Sequence, residues 1–132
     1  MVQSLFPGWR FRVPDTVAAF GLHGALLIGE PAPVTPANRA KWYEALRCFD
    51  LQLQRDGEVI ETGRASNVLK DGPLAAFRHL VEVLEAYPTS PLLTASKVIT
   101  TGTLTNASPI KAVETWSTVI SGLPLVDIRL AF

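Results

Sequence analysis

The dipeptide Asp56-Gly57 constrains this chain most. Upstream of it, Phe49, Leu51 and Leu53 alternate with Asp50, Gln52 and Gln54, the period-2 pattern of a strand with one face in a core. Downstream, residues 59–63 supply a returning run. Asp-Gly between two such runs predicts a two-residue hairpin, because both turn positions need positive φ and these two residues reach it at low cost. An antiparallel strand pair near the middle of the chain is the first expectation.

The rest of the chain reads around that pair. Pro73 suits the first position of a helix. Leu74, Phe77, Leu80, Val81 and Leu84 follow at helical spacing as its apolar stripe, with Arg78, Glu82 and Glu85 off it. Tyr87-Pro88 ends it, and a loop runs through Pro91. Residues 98–105, 115–120 and 125–132 read as three further strands. In the last, Val126, Ile128, Leu130 and Phe132 share one face, and Asp127 and Arg129 share the other. Toward the N-terminus, Pro7 and Gly8 make a turn and residues 11–13 a short strand. Asp15 is placed to cap a helix that fails at Gly21 or Gly24. Residues 25–28 read as a short buried strand, Pro31, Pro33 and Pro36 as a loop, and residues 38–46 as one or two helical turns. Many strands with one long, late helix predict α+β rather than a βαβ repeat.

Composition narrows the function classes. The 132 residues fit one domain, 1–132, of 48% apolar residues with mean hydropathy +0.23. That is apolar enough to leave surface for a partner subunit. Twelve basic and twelve acidic residues cancel, so there is no electrostatic footprint for nucleic acid or an anionic membrane. A lone Cys48 forms no intrachain disulfide, and no signal segment is visible, which points to a reducing cytoplasm. The longest apolar run is too short to span a bilayer.

No zinc, phosphate-loop or serine-hydrolase motif is present. His23 and His79 stand alone, one in a turn between glycines and the other on the long helix. Cys48 reads as an inert thiol on the polar face of a strand. The segment Thr100 to Thr105 carries more chemistry. Gly102 inside a strand pattern marks a bulge or a close backbone approach. Threonine hydroxyls and free N–H groups at such a break can hold a carboxylate or an oxyanion.

That TGTLT segment, the Asp15-Thr16-Val17-Ala18 run, Asp56-Gly57-Glu58, and Asn67 with Pro73-Leu74 together resemble the 2-keto-4-pentenoate hydratase / 4-oxalocrotonate decarboxylase group of the fumarylacetoacetate hydrolase superfamily, C-terminal half only. The resemblance covers most of the chain. It implies a mixed, strand-rich β-roll with one long helix packed on it. It also implies lyase chemistry on 2-keto-4-enoic acids of aromatic catabolism, with magnesium or manganese as cofactor. The contacts to the keto-acid end fall on Thr101, Gly102 and Thr103, with Leu104 as a wall.

Three departures bear on that transfer. Gln3 replaces the family's aspartate, and Ala19-Phe20 replace its usual polar pair. The metal carboxylates correspond to positions before Met1. Glu30, Glu58, Glu61 and Glu114 read as solvated charges, so no metal ligand or catalytic residue is assigned in this chain. The expectation is a partial or split enzyme, inactive alone, that assembles as a homo-oligomer or with a complementary N-terminal-half subunit and contacts a small 2-keto acid. The alternative is a non-catalytic ligand-binding or interaction module, or a repurposed enzyme, on the same fold.

Overall fold

The computed structural model describes residues 1–90 and 93–132; the loop read through Pro91 lies partly outside them. The chain divides into two compact units, Met1–Pro31 and Ala32–Phe132. Among the described residues the architecture is mixed α+β, with one four-stranded antiparallel sheet and three α-helices.

The sheet lies in the larger unit. Its strands are β1 (Asp50–Arg55), β2 (Glu58–Arg64), β3 (Thr115–Ser121) and β4 (Arg129–Ala131), in the order β2-β1-β3-β4. The Asp-Gly hairpin is present: Arg55 pairs with Glu58, and φ is +52° at Asp56 and +87° at Gly57, as a type I′ turn requires. The Asp56 carboxylate then accepts the Thr115 N–H at 2.8 Å, and its own N–H donates to the Thr115 carbonyl at 2.7 Å. The turn therefore also fixes the register of β3. Register places Gln54, Ser117 and Arg129 in one row on a polar face. Leu51 and Ile120 pair on the other face, which also carries Leu53, Trp116 and Leu130.

The core sits where β1 begins and where β2 and β3 end. Phe49, Ala65 and Leu123 are buried there, and Trp42, Ala45, Leu46, Leu104, Ile120 and Leu125 pack against them. Three of these come from α2 (Arg39–Cys48). The long helix, α3 (Pro73–Ala86), starts at Pro73 as expected and packs mainly against α2, not on the sheet. Its stripe is consequently only half covered. Leu74, Leu80, Val81 and Leu84 are half-buried, while Phe77 is 38% exposed.

Several expected elements differ. Residues 98–105 form no strand; side-chain bonds hold them in place of a ladder. The final strand shortens to Arg129–Ala131. Just before it, the Asp127 carboxylate accepts the Ile120 N–H and the Thr118 hydroxyl accepts the Ile128 N–H, so side chains stand in for ladder bonds. Cys48 ends α2 instead of lying on a strand, and its thiol donates to the Glu44 carbonyl at 3.3 Å.

In the smaller unit, Arg12 caps α1 (Val13–Ala18). Asp15 lies inside the helix and accepts the Arg12 N–H at 2.7 Å, reversing the expected cap. Val13 thus begins a helix where a strand was expected. Residues 25–28 form no strand; their pairing is confined to the Met1–Ala25 bonds beside the Val2–His23 bridge.

Candidate functional site

Thr101, Gly102, Thr103 and Leu104 lie on a connection that crosses the end of β2. Three contacts hold it there. The Asn67 side-chain amide donates to the Leu104 carbonyl at 2.8 Å. Glu61, on β2, takes both the backbone N–H of Asn106 at 3.0 Å and its side-chain amide at 2.6 Å. Leu104 itself packs on the core. This two-oxygen grip on one asparagine replaces the ladder that a strand would have used.

Close approach makes the arrangement possible. A Cβ on Gly63 would lie 2.5 Å from the Leu104 carbonyl oxygen, so only glycine at 63 lets the connection sit down on β2. Gly102 differs: its φ is +108°, and a Cβ there would meet only a Val68 methyl at 3.6 Å. Glycine is needed at 102 for the bend, not for the space.

The bend leaves polar groups outward. Gly102 and Thr103 are exposed, and Thr101 and Leu104 are half-buried. Among the described residues, the N–H groups from Thr101 through Thr105 have no hydrogen-bond acceptor, and the Thr101 and Thr103 hydroxyls have no partner. The four sequence-predicted residues are thus consecutive on an exposed connection, with main-chain and hydroxyl donors that no protein group occupies. Leu104 points its apolar side chain to the core, as an anchor. Two shallow depressions exist elsewhere, one lined by Arg39, Ala40, Tyr43 and Glu44 and one by Gln54, Asp56, Gly57, Thr115, Ser117 and Arg129. Neither includes the 101–104 array.

The acidic residues correct the sequence reading in part. Glu61 is the clamp just described. Glu114 accepts the Lys111 N–H at 2.8 Å and the Trp116 indole N–H at 3.0 Å, with the Arg55 guanidinium 3.9 Å away. The Lys111 N–H, the indole and the Arg55 charge hold its carboxyl below the ordinary range against a smaller opposing effect of desolvation. Both are structural ligands rather than solvated charges. Among the described residues, no group of three or more His, Cys, Asp or Glu is placed to hold a metal ion. A hard divalent cation wants several oxygen ligands, and this donor set does not fit one. His23 and His79 are exposed.

The clamp residues Glu61, Gly63, Asn67 and Asn106 were not picked out as functional from the sequence. Gly63 carried a signal: a glycine inside a strand pattern marks close backbone approach, and here that approach is made by Leu104. Comparison with protein-family models returned no match, and neither did comparison with curated proteins.

Proposed function

We propose that this chain works as one part of a larger assembly, an interaction module that presents a small-anion-binding loop. The carrying observation is surface. The accessible area is 10128 Å², against roughly 7,000 Å² for one folded body of this mass and roughly 8,000 Å² when the two units are counted separately. Large apolar side chains contribute to it: Val13, Val17 and Phe20 in the smaller unit and Val113 and Val126 in the larger are each at least 69% exposed. Surface of this kind is covered in a working protein by another chain.

The loop supports the second half of the reading. Free N–H groups around Gly102, flanked by two unpartnered hydroxyls, suit a carboxylate, and the likeness of TGTLT to the hydratase/decarboxylase group makes a 2-keto acid the ligand of choice. On this reading the chain is a β-roll-type half of such an enzyme, and a complementary chain supplies the metal carboxylates with magnesium or manganese. An exposed free thiol at Cys48 suits a reducing, cytoplasmic setting. Among the described residues no helix is long and apolar enough to cross a membrane.

Light scattering at micromolar concentration tests the assembly; a monodisperse monomer that captures no second chain overturns it. Titration with pyruvate and oxalate, on wild type, Gly102→Ala and Thr103→Val, tests the loop. Weaker binding by both variants is expected, the Thr103→Val loss being about 1.5–3 kcal/mol for a hydrogen bond to a charged group. Equal binding by all three removes the keto-acid reading.

A further inference from the structure

We propose that β4 pairs with the β4 of a second copy across a two-fold axis at Leu130, joining two four-stranded sheets into one of eight strands. This rests on the assembly reading above and names its partner and interface.

β4 is the edge strand at the end of the sheet. Its bonds to β3 fix which groups face outward. Thr118 donates to the Ile128 carbonyl, Val113 donates to the Phe132 carbonyl, and the Phe132 N–H donates to Glu114. The inward groups therefore belong to residues 128, 130 and 132. By the alternation of an antiparallel ladder, Arg129 and Ala131 direct their N–H and C=O groups away from the sheet. Among the described residues no backbone group bonds them from that side. An uncovered edge is a template for another strand.

The sequence of this edge is complementary to itself. With the axis at Leu130, Arg129 faces Ala131 of the second copy, and Ala131 faces its Arg129. Those are the two residues with free main-chain groups, so two reciprocal pairs exchange four N–H···O bonds. Leu130 meets its own copy in the central non-hydrogen-bonded position, where side chains come closest. Ile128 then faces Phe132 of the second copy, on the same apolar side. The two Arg129 side chains fall on opposite sides of the axis, each against alanine, so no like charges are opposed. The half-buried Leu130 and the 40% exposed Phe132 would gain cover on that side. An isologous contact uses the same patch on both copies, and this edge meets that condition with its polar and apolar faces matched.

Two variants test it on the full chain. Ala131→Pro deletes an outward N–H without touching the β3–β4 bonds, and proline is tolerated on an edge strand. Leu130→Cys, made in a Cys48→Ser background, places two thiols at the axis, within the Cα separation that a disulfide spans. Sedimentation velocity should show a wild-type dimer, and Ala131→Pro should shift it to monomer at least tenfold more readily on dilution with unchanged circular dichroism. Mild oxidation should convert Leu130→Cys to a covalent dimer, while Arg129→Cys in the same background stays uncrosslinked. A wild-type dimer that Ala131→Pro leaves intact and Leu130→Cys does not link overturns the β4 axis and leaves the assembly reading standing. A wild-type chain that is monomeric alone also overturns the axis. The assembly reading falls with it only if no second chain is captured.

Discussion

Glu114 shows how one side chain can organise a chain reversal. It takes the N–H of Lys111 and the indole of Trp116, so the approach to β3 is folded around a single carboxylate. Because its folded pKa lies below the ordinary 4.5, its contribution is fully present above the unfolded value. It is lost as pH falls through the lowered folded value. Glu114→Gln should therefore lower stability most at neutral pH and converge with wild type in acid, which flattens the acid limb of the stability curve. Urea midpoints from about pH 7 to about pH 3 read this out. An unchanged slope would mean that Glu114 contributes nothing to acid sensitivity. Asp56 is a second multi-purpose carboxylate, and here the sequence was informative: its turn role follows from Asp-Gly alone. Its bond to Thr115, 59 residues along the chain, does not, since no local pattern encodes a distant partner.

At the level of elements, the hairpin, α3 and β3 were legible because period and punctuation agree in each. Alternation flanks Asp56-Gly57, Pro73 opens the helical stripe, and Thr115 to Ile120 is rich in strand formers. Residues 98–105 misled for a physical reason. Val98, Ile99 and four threonines favour extended backbone anywhere, and β propensity reflects a pleated, packed setting more than an intrinsic choice. Their setting is a Glu61–Asn106 clamp and an Asn67 bond, which pattern does not reveal. The candidate site residues are thus singled out by type alone, and the contacts that place them are ones the sequence hides. Gly63→Ala should push the Leu104 carbonyl off β2 and cost roughly 1–3 kcal/mol, as overpacking does. Faster amide exchange at Asn106 should accompany it. Wild-type exchange and stability in the variant would mean that the connection yields freely. The half-covered stripe of α3 sets a second value. Phe77 is 38% exposed, so Phe77→Ala should cost about 1 kcal/mol, well below the roughly 3–5 kcal/mol of an enclosed ring. A larger loss in denaturant melts would show the ring covered in solution.

For the molecule as a whole, few side chains are buried and many large apolar ones are not. What order there is in the larger unit concentrates at two places, the Phe49–Ala65–Leu123 core and the hairpin turn that receives Thr115. That second place has a kinetic meaning. A hairpin closes in about 1–10 μs, whereas β3 must return across a long loop whose closure entropy is paid before any contact rewards it. The turn carboxylate is therefore a landing point that is already in position when the late strand arrives. Asp56→Gly keeps a turn able to adopt positive φ but removes the landing point. Stopped-flow refolding should slow several-fold while unfolding changes little, the pattern of a contact formed in the transition state. If unfolding accelerates instead, the strand docks first and the Asp56 bond closes behind it.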